Sequence, residues 1–146
     1  MSTIEKAIEI AARAHRGQVD KAGAPYIFHP LRLMLAVTTP DEQMAAVLHD
    51  VVEDTPITLE DLAAEGFSPE VLAAIAALTK QAGESRLAAA QRAAQNPIAR
   101  VVKLADVTDN MDLGRIAHPT AKDFARLQEY AQVKALLEAA IAASRA

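Results

Sequence analysis

Hydrophobic residues between Ile4 and Arg16 recur with the spacing of one helix face, and Gly17 ends this periodic segment. The pattern predicts an amphipathic helix rather than a strand. Proline can occupy the first helical turn, where its missing N–H would have no intrahelical partner. Later segments open with proline directly after a residue that can cap a helix, at Thr39-Pro40, Ser68-Pro69, Asn96-Pro97 and His118-Pro119.

The remaining helices are predicted either from a residue that can cap a helix or from a run of good helix formers. The stretch GQVDKAGAPYIF (17–28) contains two glycines and a proline and is predicted to be a loop. The whole chain, residues 1–146, is therefore predicted to be one all-α domain, a bundle of about eight helices. The other predicted helices begin near residue 59 behind Thr58 and at Pro30 behind His29, and run over Glu84–Gln95 and from Lys122 to about Ala143.

Composition narrows the function classes. Hydrophobic residues make up 51% of the chain but aromatic residues only 3%, which disfavours a sheet protein. The formal net charge of -4 argues against a nucleic-acid binder. The absence of cysteine excludes disulfide scaffolds and thiolate zinc sites. The chain contains neither a signal-peptide pattern nor a long uncharged apolar run. We therefore expect a cytoplasmic protein with no membrane partner.

Four polar residues interrupt the helix that begins at Pro40, which is otherwise apolar nearly all round. A helix of that kind is expected to be buried. Clustered carboxylates repel one another and lose hydration in such a place. Either they lie at a solvated helix end, where they would oppose the helix dipole, or a divalent cation binds them. The four residues, which their spacing places on one side of a helix, are His49, Asp50, Glu53 and Asp54.

Two further features add candidate ligands. Asp106 and Asn110 share one face of a predicted helix, with Lys103 one turn before Asp106. Lys103 and Asp106 form either an ordinary surface ion pair or part of a binding site. The last feature is His29, whose backbone is restricted by the proline that follows it.

Combined, these residues suggest a metal site with mixed nitrogen and oxygen ligands. Two imidazoles and two aspartates would leave positions for water and substrate in an octahedral site, and the aspartates balance one divalent charge. Carboxylate and water ligands favour Mn²⁺, while imidazoles add affinity for Fe²⁺, Co²⁺ or Zn²⁺. The four ligands would be His29, His49, Asp50 and Asp106.

Three stretches of the chain resemble the HD-domain phosphohydrolases. The resemblance is narrower to the (p)ppGpp hydrolase domain of RelA/SpoT-type alarmone enzymes and to the single-domain small alarmone hydrolases. It implies an HD-domain helical bundle with no room for a synthetase domain. The stretches, which span nearly the whole chain, are AHRGQVDKAGAPYIFHP (14–30), AAVLHDVVEDTPIT (45–58) and VVKLADVTDNM (101–111).

The resemblance implies an enzyme that uses Mn²⁺ to remove pyrophosphate from the 3′ position of a nucleotide alarmone. A positioned carboxylate can take a proton from the attacking water, and crowding of acids raises carboxyl pKa values. The matching positions are metal ligands at His29, His49, Asp50 and Asp106, water-activating acids at Glu53 and Asp54, and substrate contacts at Lys21, Lys103 and Asn110.

Two positions depart from the family pattern. Asp20 stands where the family usually has an arginine that stacks on guanine, and Asp109 stands where histidine or tyrosine is common. Aspartate neither stacks on a base nor attracts phosphate. The substrate could therefore be an adenine alarmone or another nucleotide as well as the guanine alarmone. The alternatives are another HD phosphohydrolase, such as a nucleotidase releasing orthophosphate, and a non-catalytic nucleotide sensor. The intact ligands and acids argue against the sensor, and the oligomeric state is left open.

Overall fold

Nine α-helices and one short 3₁₀ helix form the part of the chain that this computed structural model describes, residues 1–145. The prediction of an all-α bundle is confirmed, and the helix count exceeds eight because the predicted Pro40 helix is divided in two. The helices are α1 Ile4–Ala14, α2 Phe28–Ala36, α3 Pro40–Leu48, α4 Val51–Asp54, α5 Leu59–Ala64, α6 Pro69–Leu78, α7 Arg86–Ala93, α8 Pro97–Asn110, the 3₁₀ helix Leu113–Arg115, and α9 Ala121–Ser144.

Most helices begin where the sequence predicts a cap. The Thr39 side chain accepts from the Glu42 N–H at 3.1 Å, and the Glu42 carboxylate accepts from the Thr39 N–H, also at 3.1 Å. Each bond satisfies an N–H that has no partner within the helix. The side chains of Thr58, Ser68 and Asn96 likewise cap α5, α6 and α8.

Helix α9 begins one residue before the predicted Lys122, but its cap is not the predicted one. The structure places the helix start at Ala121, after Thr120 and not after His118. Asp123 accepts from the Thr120 N–H at 2.8 Å, which forms a capping box at this later position. His118 is exposed and lies two residues before the cap. The prediction of His118 as a cap is therefore wrong, because a threonine with an aspartate three residues on makes a better cap than histidine.

Helix α3 lies at the centre of the bundle, packed against α1, α2, α6 and α8. Its last four residues, 45–48, have no exposed surface, so the predicted burial on all sides holds for the C-terminal half of the helix, while residues 40–44 are half-buried or exposed. Full burial of a side chain the size of Leu48 contributes about 1.5–3 kcal/mol. His49 and Asp50 directly follow this segment. The candidate metal ligands therefore begin where the most deeply buried helix ends.

A second apolar cluster joins the long C-terminal helix to the bundle. Val133 and Leu137 of α9 pack against Ala90 of α7 and Val107 of α8. Val107 follows Asp106 directly, so the same helix has one residue in this cluster and its neighbour in the candidate site. Helix α9 therefore closes one side of the cavity described below.

Candidate metal centre and active site

Three buried side chains from separate helices meet at one point. One ligand atom from each of His29, His49 and Asp106 lies within 4.8 Å of the others. His29 comes from α2, His49 from the end of α3, and Asp106 from α8. All three are less than 8% exposed. The structure thus brings together three of the four predicted metal ligands in a closed, polar group inside the bundle.

The fourth predicted ligand, Asp50, lies beside this group. Its Oδ2 atom is 2.9 Å from His49 Nε2. The predicted helix across this region is not continuous, because α3 ends at Leu48 and α4 begins at Val51. The break occurs because the Ala46 carbonyl accepts from the backbone N–H and from the side-chain Nδ1 of His49, the latter at 2.7 Å. The prediction of one unbroken helix is therefore wrong, and His49 lies buried at the break.

His29 also differs from its predicted place. It is the second residue of α2, after Ile27 at the cap, because a turn through Pro25 already starts the helix at Phe28. Its Nδ1 atom donates to Asp109 Oδ2 at 2.7 Å, while Nε2 lies 3.0 Å from Asp106 Oδ1. Burial lowers the pKa of His29, but the two carboxylates outweigh burial and raise it above its ordinary value.

The remaining acids form a second group next to the first. Ligand atoms of Asp50, Glu53 and Asp54 lie within 4.8 Å of one another. Glu53 Oε1 accepts from the backbone N–H of Lys80 at 2.7 Å. Burial, followed by the charges of Asp50 and Glu53, raises the pKa of Asp54. The structure therefore places both predicted water-activating acids, which are exposed, at the edge of the buried histidine group.

Tyr26 links the loop before α2 to this acidic group. Its hydroxyl donates to Asp50 Oδ2. Burial and the Asp50 carboxylate raise the pKa of Tyr26, so the hydroxyl remains a donor. The Tyr26 ring lies between those of His15 and His29, with centroid distances of 5.0 Å and 5.7 Å. Sequence reasoning missed Tyr26, although its position three residues before His29 places it on the same side of the chain.

The donor chemistry fits a divalent cation. Nδ1 of His49 faces a carbonyl and therefore carries a ring proton, so in the neutral form of the ring Nε2 is the atom with a lone pair. That Nε2 is buried, faces Asp50 and Asp106, and has no aligned hydrogen-bond partner in the described chain. A lone pair directed at carboxylates is unfavourable unless a positive charge lies between them. The same charges raise the pKa of His49 against the opposing effect of burial.

The predicted substrate-binding residues occupy different places. Lys103 Nζ donates to Asp106 Oδ2 at 2.9 Å, so Lys103 is the half-buried partner of a candidate ligand. Burial opposes ionisation of Asp106, but Lys103 and the two histidines hold its pKa well below the usual range. Asn110 donates to Asp106 Oδ1 at 3.2 Å. Lys21 is exposed on the loop before α2. Lys103 therefore forms the predicted ion pair with Asp106, although the pair is mostly buried, and its role in binding substrate stays a prediction.

A cavity of about 460 Å³ opens over the buried group of His29, His49 and Asp106 and the neighbouring group of three acids. That volume suits a small organic ligand. Five of the seven basic side chains that line the cavity form ion pairs with acidic residues. Within residues 1–145, Lys21 and Lys80 form none, and both are exposed. Sequence reasoning named Lys21 and missed Lys80. The basic side chains that line the cavity are Lys21, Arg32, Lys80, Arg86, Lys103, Arg115 and Arg126.

The family model described as HD domain matches residues 7–140. The chain belongs to the HD-domain family. The match includes all of the histidine and acid residues assembled above, so the buried group of His29, His49 and Asp106 lies within the HD domain. This HD domain is similar over most of its length to a solved structure described as a metazoan ortholog of SpoT that hydrolyzes ppGpp. The TM-score is 0.75 at 25% identity, covering 97% of this chain and 92% of the other.

Curated relatives are larger proteins. A GTP pyrophosphokinase of Streptomyces coelicolor is 42% identical over 125 aligned residues, which cover 74% of this chain and 14% of that protein. A guanosine-3′,5′-bis(diphosphate) 3′-pyrophosphohydrolase of Spiroplasma citri is 40% identical over 84 residues, covering 55% of this chain and 11% of the relative. The HD domain described here therefore corresponds to a small part of each relative. No helix within residues 1–145 is long and apolar enough to cross a membrane.

Proposed function

We propose that this HD domain is a metal-dependent 3′-pyrophosphohydrolase of nucleotide alarmones, (p)ppGpp, (p)ppApp or both, which acts in the cytoplasm. The observation that carries the proposal is the pair of adjoining groups at the cavity, one of two buried histidines with an aspartate and one of three acids of which two are exposed. The relatives named as ppGpp 3′-pyrophosphohydrolases support the same reaction class. The substrate is a small nucleotide rather than a nucleic acid or a membrane lipid.

We infer that His29, His49, Asp50 and Asp106 hold the cation. Mn²⁺ suits the two carboxylates and leaves room for water, while Fe²⁺, Co²⁺ and Zn²⁺ are the alternatives. A divalent ion supplies a Lewis acid that neutralises phosphoryl charge and makes water more acidic. The buried Nε2 of His49 supports this ligand set, because it faces the Asp50 and Asp106 carboxylates without an aligned hydrogen bond and a cation between them would satisfy all three groups.

The exposed acids would handle the attacking water. Glu53 has one oxygen occupied by the Lys80 N–H, which leaves the other oxygen free to accept a proton from water. Asp54, whose pKa is raised, would position the same water and is next in line as the base. The water oxygen forms a bond to the phosphorus attached to O3′ and gives its proton to the carboxylate. The P–O3′ bond breaks, O3′ takes up a proton, and pyrophosphate and a free 3′-hydroxyl result. General-base roles of this kind contribute about 10²–10⁴-fold to the rate.

The phosphates need positive partners at the cavity mouth. Lys21 and Lys80 are suited to this role because neither is engaged by an acidic side chain within the described chain. Lys103 would act closer to the cation, since it already neutralises Asp106. Asn110 would reach the sugar and phosphate only if it exchanges its bond to Asp106 for one to the substrate.

A nucleotidase that releases orthophosphate is the second candidate. The observation that favours it is Asp20, which lines the cavity and puts a negative charge where the family's guanine-stacking arginine usually stands. The two candidates differ in their product. Both require the same cation site and the same acids.

A product assay on a nucleotide panel tests the proposal. The protein is freed of metal with a chelator and incubated with Mn²⁺, Fe²⁺, Co²⁺ or Zn²⁺ and each nucleotide. The panel contains the guanine and adenine 3′-pyrophosphorylated alarmones and the ordinary nucleoside 5′-triphosphates. Pyrophosphate released from an alarmone, with a free 3′-hydroxyl, is the expected result.

The control is His49→Ala, which removes a proposed ligand and is expected to release nothing from any nucleotide. Orthophosphate from ordinary nucleotides, without pyrophosphate from alarmones, would replace the proposal with the nucleotidase. Saturable nucleotide binding with no product in a single turnover would identify a sensor.

A further inference from the structure

One carboxylate holds His29 from the side opposite the cation site. Asp109 Oδ2 accepts from His29 Nδ1 at 2.7 Å. The same carboxylate is bound by Arg32, whose Nε donates to Oδ1 at 2.8 Å and whose Nη2 donates to Oδ2 at 3.0 Å. The Asp109 side chain is 13% exposed. These contacts join α2 and α8 directly beside the candidate metal centre.

The spacing along each helix explains how the contacts arise. His29 and Arg32 are three residues apart on α2, so both side chains lie on one face. Asp106 and Asp109 are three apart on α8 in the same way. The imidazole of His29 therefore lies between two aspartates, with one at each ring nitrogen. Of these two aspartates, Asp109 is the one that Arg32 binds. The bidentate geometry of this pair restricts rotation of the Asp109 carboxylate.

The consequence is a defined orientation of the imidazole. A carboxylate at Nδ1 requires the ring proton at that nitrogen, which leaves Nε2 as the metal-binding atom. Hydrogen bonds of this type orient ligand histidines and raise their basicity, and their loss costs about 10–100-fold in metal affinity. Asp109, which stands where the family commonly has histidine or tyrosine, thus orients the His29 ring in this chain.

We propose that Asp109, held by Arg32, is a positioning residue that fixes His29 as a metal ligand with Nδ1 protonated and Nε2 turned toward Asp106. The inference rests on the proposed function for the identity of His29 as a ligand. Arg115 supports the arrangement from the exposed side, since its Nη2 atom lies 3.0 Å from the Asp109 carbonyl and 3.5 Å from Oδ2. Asp109 itself touches neither cation nor substrate in this role.

Titration calorimetry with Mn²⁺ tests the inference in the full chain. Asp109→Ala is expected to weaken Mn²⁺ binding by about 10–100-fold, and Asp109→Asn to weaken it less, because the amide oxygen still accepts from Nδ1. The matched control is Asp112→Ala, which removes a nearby aspartate that also binds Arg115 but is 56% exposed and, within residues 1–145, forms no hydrogen bond or ion pair with His29. Its Mn²⁺ affinity is expected to stay within a few-fold of wild type.

Arg32 is tested by a double-mutant cycle. Arg32→Met is expected to weaken Mn²⁺ binding a few-fold in the wild type and to have no further effect in Asp109→Ala, because it acts through that carboxylate. Equal weakening by Asp109→Ala and Asp112→Ala would overturn the inference, since it would point to general charge rather than to orientation. Unchanged affinity in Asp109→Ala would overturn it as well.

A measurement without metal separates this inference from the proposed function. In the metal-free protein, the hydrogen-bonded Nδ1 proton of His29 is expected as a low-field signal in the NMR spectrum. The signal should be lost in Asp109→Ala and kept in Asp112→Ala. A wild type that binds no Mn²⁺ but shows this pattern would refute the metal site and leave the positioning contact. A signal that persists in Asp109→Ala would refute the positioning role alone.

Discussion

At the scale of single residues, Glu53 and Asp54 are adjacent but differ in what they contact. Glu53 accepts a hydrogen bond from the backbone N–H of Lys80, which lies in the segment between α6 and α7. Burial, together with the charges of Asp50 and Glu53, raises the pKa of Asp54. The contact fixes one oxygen of Glu53 and leaves its second oxygen available, which favours Glu53 as the base.

Glu53→Gln is expected to keep Mn²⁺ affinity within a few-fold of wild type and to lose about 10²–10⁴-fold in kcat, because the amide keeps the shape but accepts no proton. Calorimetry and steady-state kinetics measure the two effects separately. Glu70→Gln, an exposed change on α6 away from the cavity, is the matched control. If the kcat of Glu53→Gln stays within a few-fold of the wild-type value, Glu53 is not the base and Asp54 would be assigned that role.

Asp20 has a structural role in addition to its charge. Its Oδ1 accepts from the N–H groups of Ala22 and Ala24, at 2.8 Å and 3.0 Å. These bonds shape the turn that carries Lys21, in which Gly23 has a positive φ of 84°. Asparagine can make the same two bonds without the charge, whereas arginine makes neither. Comparing Asp20→Asn with Asp20→Arg therefore separates the effect of losing the negative charge from the effect of losing the hydrogen bonds that shape the turn.

Wild type is expected to hydrolyse an adenine alarmone at least as well as the guanine one, because Asp20 offers no stacking surface. Asp20→Arg is expected to shift the ratio of kcat/KM values toward guanine by about one to two powers of ten, since stacking contributes roughly 1–3 kcal/mol. Steady-state kinetics on both substrates provide the measurement. Asp20→Asn should leave the ratio unchanged. A wild type strongly selective for guanine would show that another residue recognises the base.

Residue-level prediction worked best for side chains whose pattern is local. His49, Asp50, Glu53 and Asp54 fall within six consecutive residues, and the structure brings them to one place. The role of Asp109 was missed because its partner His29 is 80 positions away in the sequence. Such contacts depend on how α2 packs against α8, which helix periodicity alone does not specify. The chemical roles of the site residues stay predictions.

At the scale of helices, caps with a polar side chain were predictable and breaks were not. Thr39, Thr58, Ser68 and Asn96 all act as caps because their bonds reach N–H groups two or three residues on. The break after Leu48 follows instead from the His49 side chain competing for a backbone carbonyl. No propensity rule identifies that competition in a stretch of good helix formers.

The connection from α6 to α7 is held by one arginine. Arg92 of α7 donates to the carbonyls of Ala76 and Thr79 at 3.2 Å and 2.7 Å, near the end of α6. Glu84 binds the same guanidinium with both carboxylate oxygens, at 2.9 Å each. The Thr79 carbonyl and the Lys80 N–H belong to one peptide group, so Arg92 also supports the segment that binds Glu53. The bond to Arg92 lowers the pKa of Glu84 to about 2.

Acid is expected to remove the contribution of Glu84 to stability. Its folded pKa of about 2 lies below the unfolded value of about 4.3, so the contribution is complete above that value and is lost as pH falls toward about 2. Glu84→Gln should therefore have a lower Tm than wild type at pH 6, and the difference should shrink between about pH 5 and pH 2. Thermal melts followed by circular dichroism measure it. A constant difference across this range would mean that the ion pair is not its source.

At the scale of the whole molecule, the proposed cation joins parts of the bundle that are distant in sequence. Its ligands come from α2, from the break between α3 and α4, and from α8. Acidic and imidazole groups are concentrated where these segments meet. The HD-domain match over residues 7–140 covers all of them, while the extent of the domain as residues 1–146 stays a prediction.

A cation bound at this junction is expected to stabilise the fold as well as support catalysis. Ligand that binds only the folded state at 100 times its Kd adds about 2.7 kcal/mol, which raises the Tm of a chain of this size by roughly 5–10 °C. His49→Ala and Asp50→Ala are each expected to abolish the rise caused by Mn²⁺, and His118→Ala, which changes an exposed histidine, to keep it. Melting each protein with and without Mn²⁺ cancels the effect of the substitution on the metal-free fold. An undiminished rise in both variants would contradict the ligand assignment, because the cation would then bind elsewhere on the bundle.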